Sequence, residues 1–265
     1  MKTTLIAAAI ALMTSASAHA INVTQNINAA SLASAIAGSS ITVSNASLTY
    51  DTASPSGTFT GGAGSVGFDS GVVLTTGTTD CVAGPNNQGE CTGSGSSTSL
   101  KFDFESTTGN VFFQYVFGSE EYNFYVNSVF NDTFLLLLNG TNIALLPGNA
   151  GVVQVNNVNC LTNSTYYRNN VDGEENQPSG CVNQHLDIQY DGLTTVLTAS
   201  AEVLAGTNTF EFYIADYGDS SLDSGVFIKT GSFSGDDPDE DVPEPGSLAL
   251  FGLALACARV VRRRS

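Results

Sequence analysis

The chain has no tryptophan and only eight basic side chains and two histidines among its 265 residues. Against those eight bases stand 25 acids. A nucleic-acid partner is therefore excluded, because binding phosphate needs a basic face that displaces counterions. His19 and His185 are too few for most zinc sites and starve most general-base schemes. No P-loop, no dinucleotide-binding glycine pattern and no long helical periodicity is present. A repeat near 40 residues, which a propeller needs, is missing as well.

What is present is unevenly charged. Five bases stand at the chain ends: Lys2, Arg259, Arg262, Arg263 and Arg264. Residues 21–241 are left with 24 acids against Lys101, Arg168 and Lys229, a net charge of −21. The hydrophobic fraction of 42% is that of a globular chain and excludes wholesale disorder.

Both ends read as addresses. Lys2, an apolar run from Leu5 to Met13, and the small-x-small site Ala18-His19-Ala20 form a secretory signal peptide (residues 1–20), with cleavage expected after Ala20. At the other end an acidic linker, residues 234–241, leads to Val242-Pro243-Glu244-Pro245, an alanine- and leucine-rich segment and an arginine cluster. A helix over that segment reaches about 21 Å at ~1.5 Å per residue, short of a ~30 Å hydrocarbon core. Arginine snorkelling closes part of the gap and places the C-terminus in the cytoplasm. Residues 242–265 resemble the PEP-CTERM sorting signal of Gram-negative bacteria. The resemblance implies processing by an exosortase, a transient stay in the inner membrane through a short transmembrane helix, and delivery to the surface or extracellular matrix. The mature protein is then expected to end near Pro243–Pro245.

Of the five cysteines, Cys257 falls in the tail, and Cys81, Cys91, Cys160 and Cys181 form an even set in the exported body. An oxidising compartment predicts disulfides. Of three possible connectivities, Cys81–Cys91 and Cys160–Cys181 are favoured, because each would tether a polar, glycine- or asparagine-rich stretch.

The body reads as strands. Leu100, Phe102 and Phe104 alternate with Lys101, Asp103 and Glu105, the period-2 pattern of a half-wet strand. Asn110–Phe117 is apolar on both faces and belongs in mid-sheet. Asn139-Gly140 marks a hairpin between Thr133–Leu138 and Asn142–Leu146. Further strands are predicted at Val152–Val155, Leu186–Tyr190, Leu193–Ala199, Phe210–Ile214 and Gly225–Thr230, and one short helix at Ala29–Ala37. The expected fold is all-β: a single antiparallel β-sandwich of jelly-roll type over residues 21–233. The blocks Ser70–Gly77, Phe117–Tyr122, Phe130-Asn131-Asp132, Asn142–Gly148, Tyr190–Leu197 and Ile214–Phe227 resemble the choice-of-anchor L domain. That family implies a bacterial surface protein and supplies no settled biochemical activity.

Candidate chemistry lies in three acidic blocks at strand ends: Glu120-Glu121, Asn131-Asp132 and Asp216, Asp219, Asp223. Calcium takes six to eight oxygens from such groups and is the expected cofactor, if any. The competing reading is a set of solvated turn residues. Adjacent Glu120 and Glu121 would reach one ion only where the chain turns. Tyr122, Tyr125, Tyr166 and Tyr167 are candidate platforms for a surface glycan, against packing roles for the same rings. No catalytic residue is assigned. The expected function is a non-enzymatic binding or structural module for exopolysaccharide; the rival is a secreted glycosidase-like hydrolase.

Overall fold

The computed structural model describes residues 20–38, 40–86, 91, 95–171, 180–218 and 220–238. Ala18, Asp219 and the sorting motif Val242–Pro245 lie outside them. In chain order the strands are β1 (Asn22–Gln25), β2 (Ile41–Tyr50), β3 (Ser56–Thr60), β4 (Gly71–Thr75), β5 (Ser97–Ser106), β6 (Asn110–Ser119) and β7 (Thr133–Leu138). They continue with β8 (Thr141–Asn142), β9 (Tyr167–Asn169), β10 (Gly192–Thr194), β11 (Leu197–Glu202), β12 (Asn208–Ala215) and β13 (Ser224–Lys229). One helix, α1 (Ala29–Ile36), is capped by Asn28, whose side chain accepts the Ser31 N–H at 3.0 Å.

Two antiparallel sheets face each other. The smaller runs β2-β5-β12-β7-β8; the larger runs β1-β3-β4-β13-β6-β10-β9, with β11 also paired to β6. The sandwich is formed because period-2 alternation puts one row of each strand inside. Leu100, Phe102 and Phe104 of β5, Phe210, Phe212 and Ile214 of β12, and Val111, Phe113 and Tyr115 of β6 are fully buried. Phe113 meets Phe210 and Phe212 edge-on at 5.5 and 5.6 Å, across the two sheets. Such pairs add about 0.5–1.5 kcal/mol each beyond area burial.

A second core covers the outer face of the larger sheet. Phe59, Val66, Phe68, Val73, Val116, Tyr190 and Phe227 belong to it. Mid-sheet β6 is thus apolar on both sides, as its composition predicts. Two segments expected as strands are instead coil laid over cores. Residues 186–190 pair only through the bridge Ala83–Ile188, and 152–155 only through the bridges Thr133–Gln154 and Leu145–Val152. The predicted strand Asn142–Leu146 is cut back to β8. Apolar spacing in these stretches reflects burial of Ile188, Tyr190, Val153 and Val155, not ladder pairing.

Both favoured disulfides are formed, Cys81–Cys91 and Cys160–Cys181, each with a Cα–Cα separation of 5.7 Å. No described helix is long and apolar enough to cross a membrane; the apolar tail segment lies outside the described residues.

Candidate functional site

The three acidic blocks do converge, but inward. Strand β6 ends at Ser119 and the chain turns at once, so Glu120 and Glu121 are both buried, as are Asp132 and Asp223. Asp216, just past β12, is half-buried beside them. The reading of solvated turn residues is therefore corrected for these four buried acids. Oxygens of Asp223, Asp132 and Glu121 accept from donors brought from other parts of the chain. Asp223 Oδ1 accepts the Gly77 N–H at 2.5 Å and the Thr76 hydroxyl at 3.1 Å, and Oδ2 accepts the Tyr190 hydroxyl at 2.9 Å. Asp132 accepts the Tyr217 N–H at 3.1 Å and the Ser224 hydroxyl at 2.6 Å. Glu121 Oε2 accepts the Asp132 N–H at 3.1 Å.

The three described bases are bonded elsewhere. Lys101 stands 3.9 Å from Glu211, Lys229 donates to Gln114 Oε1 at 2.6 Å, and Arg168 donates to the Ser65 carbonyl at 2.6 Å. Burial, then the charge of Asp132, pushes Asp216 up to about 9. Burial likewise pushes Asp223 up to about 7, although the Gly77 N–H and the Tyr190 and Thr76 hydroxyls pull it down.

Among the described residues, no three His, Cys, Asp or Glu side chains stand where they could hold one metal ion. Glu120, Glu121, Asp132, Asp216 and Asp223 are not gathered as such a group among the described residues. The oxygens whose bonds are given above point at backbone and hydroxyl donors instead. Asn131 is also spent, its Oδ1 accepting the Asn156 N–H at 2.8 Å. What this hub does mechanically is tie together the loops at one end of the sandwich.

Of the four candidate tyrosines, Tyr122 and Tyr167 are buried and packed on each other at 4.9 Å. Tyr125 packs edge-on to Phe130 at 5.4 Å. Tyr166 lines a cavity. It forms one wall of a shallow groove of about 370 Å³ on the outer face of the larger sheet, at the small end of the roughly 300–1,000 Å³ range of small-molecule clefts. The groove's origin is the register of β6 and β11. Ser200 is opposite Phe112 and Thr198 opposite Gln114, and these side chains point away from the sandwich core because Leu197, Ala199, Val111 and Phe113 point into it.

Phe112 and Tyr166 supply aromatic surface to the groove, Thr195, Thr198 and Ser200 supply hydroxyls, and Asp237 supplies its single charged side chain. The backbone fixes these parts. Thr195 N–H donates to the Tyr166 carbonyl at 2.8 Å, and Phe112 and Ser234 exchange hydrogen bonds at 2.8 and 3.0 Å. The segment leaving the domain thus forms part of the groove wall. Sequence reasoning missed Phe112, Thr198 and Ser200, which are ordinary alternate residues of strands until the register places them together.

Elsewhere on the surface, Phe124, Val129 and Tyr217 are 43%, 71% and 67% exposed. They sit over the acidic hub, with the Tyr217 carbonyl accepting the Asn131 N–H at 3.1 Å.

Compared with known families, residues 20–234 match the choice-of-anchor L domain and residues 241–264 match the PEP-CTERM protein-sorting motif. No curated protein and no solved structure matches the chain.

Proposed function

Because this chain belongs to the choice-of-anchor L domain family and ends in a PEP-CTERM sorting motif, we propose that it is an exported surface protein that holds extracellular polysaccharide without cleaving it. The sorting motif implies export through a membrane intermediate, processing by an exosortase and delivery to the cell surface. The observation that carries the non-hydrolytic reading is where the carboxylates lie. Glycoside hydrolysis needs two facing carboxyl groups about 5–10 Å apart across the scissile bond. Among the described residues, the one carboxylate lining the groove is Asp237, while Glu120, Glu121, Asp132 and Asp223 are buried at the loop end.

An aromatic face beside a row of hydroxyls suits a sugar ring, whose C–H face stacks and whose hydroxyl rim exchanges hydrogen bonds. The test is retention on polysaccharide extracted from the producing cells, with release of reducing ends followed in the same tubes. Retention without new reducing ends is expected. Steady release of reducing ends that stops when one carboxylate is replaced would establish the hydrolase instead.

A further inference from the structure

We infer that the groove between Phe112 and Tyr166 is the polysaccharide-binding subsite and that it selects uncharged sugar chains over polyuronates. This rests on the polysaccharide-binding reading above and adds the location and the ligand class. Three observations carry it.

The first is that the larger sheet is open here. Further along β6 and β13, the outward row is covered by the second core, where Val116 and Phe227 are fully buried. At the β11 end the same outward row leaves Phe112 half-buried, Thr198 half-buried and Ser200 exposed. A sheet face that is covered along most of its width and open over one mixed aromatic-hydroxyl strip is shaped for a ligand that is itself part apolar and part polar.

The second is rigidity without side-chain cost. Phe112, Thr198 and Ser200 sit on paired strands with fixed register, and Tyr166 is held through its own N–H to Asn163 and its carbonyl to Thr195. Binding then orders little of the protein, which lowers the entropic cost of association.

The third is charge. Asp237 is in the wall, and Asp236 beside it and Glu202 at the end of β11 are both exposed. Two described bases lie closest in the chain and sheet, and both are engaged: Arg168, two residues from Tyr166, donates to the Ser65 carbonyl at 2.6 Å and to Gln184 Oε1 at 3.3 Å, and Lys229, two strands from β11, donates to Gln114 Oε1 at 2.6 Å. A uronate chain would bring its carboxylates against Asp236, Asp237 and Glu202, and neither base is among the described residues of the lining. An uncharged hexose or N-acetylhexosamine chain meets no such penalty. Asp237 can accept its hydroxyl protons, and Thr195, Thr198 and Ser200 can donate to its ring and glycosidic oxygens.

The experiment is calorimetric titration of the secreted protein with uncharged oligosaccharides (glucan and N-acetylglucosamine series) and with oligomannuronate. It is repeated on Tyr166→Ala, Tyr166→Phe and Ser200→Gln. The expected result is binding of an uncharged series only, about tenfold or more weaker in Tyr166→Ala, similarly weakened in Ser200→Gln, and restored in Tyr166→Phe. Oligomannuronate binding as tight as the uncharged series overturns the selectivity. Uncharged binding unaltered in both Tyr166→Ala and Ser200→Gln overturns the location and leaves the polysaccharide-binding reading standing. If the unsubstituted protein retains none of these sugars and none of the cell-extracted polysaccharide, the binding reading itself fails. Ser200 is exposed, so Ser200→Gln keeps the location test valid should Tyr166→Ala fold poorly.

Discussion

The Tyr190 hydroxyl donates to Asp223 Oδ2 at 2.9 Å, and both side chains are fully buried. The pair joins the coil laid over the second core to the turn before β13, and the described lysines and arginine are bonded elsewhere. Its consequences for stability can be read from sign alone.

Asp216 and Asp223 are raised to about 9 and about 7, from an ordinary value of 3.8. Between about pH 4 and pH 9 the native state therefore holds protons that the unfolded chain has released. Stability falls with pH wherever the native state binds more protons. The thermal midpoint is expected to be highest near pH 5 and to decline through pH 7 to pH 9. Asp51 acts in the opposite sense, since the Ser96 and Ser97 N–H groups hold it below its usual range; its contribution is lost as pH drops below about 4. Calorimetric melts from about pH 2 to pH 10 check both limbs, and a midpoint that rises from pH 5 to pH 9 would contradict the protonated hub.

Replacing Asp223 by alanine removes the acceptor for the Gly77 N–H and the Thr76 and Tyr190 hydroxyls at once. Orphaned buried donors cost about 1–3 kcal/mol each, so a loss of roughly 3–5 kcal/mol is expected in chemical denaturation. Asp223→Asn should cost less and should flatten the pH dependence near pH 7.

Calcium competes with protons for the same oxygens. Since no three described acids stand where they could share an ion, millimolar calcium at pH 7 is expected to leave the thermal midpoint unchanged within a degree or so. An upward shift of several degrees, abolished by Asp219→Asn, would mean that Asp219 completes a site.

The Cys160–Cys181 bridge spans 21 residues of sequence. On chain-entropy grounds, removing it as the double serine variant should cost about 3 kcal/mol, read from the denaturation midpoint. The shorter Cys81–Cys91 bridge should cost slightly less.

Much of the sandwich was legible because burial on one face imposes a period of two, as in Leu100–Phe104 and Phe210–Ile214. The pattern misleads where a coil lies flat on a core. Ile188 and Tyr190 alternate like strand residues, yet they are held by the second core and not by a ladder. The acidic hub was half legible. Glu120-Glu121, Asn131-Asp132 and Asp216 with Asp223 were picked out as blocks, but their donors (Gly77, Tyr190, Ser224) lie 33 to 146 residues away, and no local pattern announces them. Tyr166 and Tyr167 carry the clearest missed signal. Neighbours leading into a strand point to opposite sides, so only one of the two could reach the surface.

The most direct measurement is an amide chemical-shift map of the secreted protein on adding an uncharged oligosaccharide. Shifts are expected to cluster at Phe112, Tyr166, Thr195, Thr198, Ser200 and Asp237. Shifts gathered instead around Phe124, Val129 and Tyr217, or none anywhere at saturating sugar, would contradict the groove as the binding site.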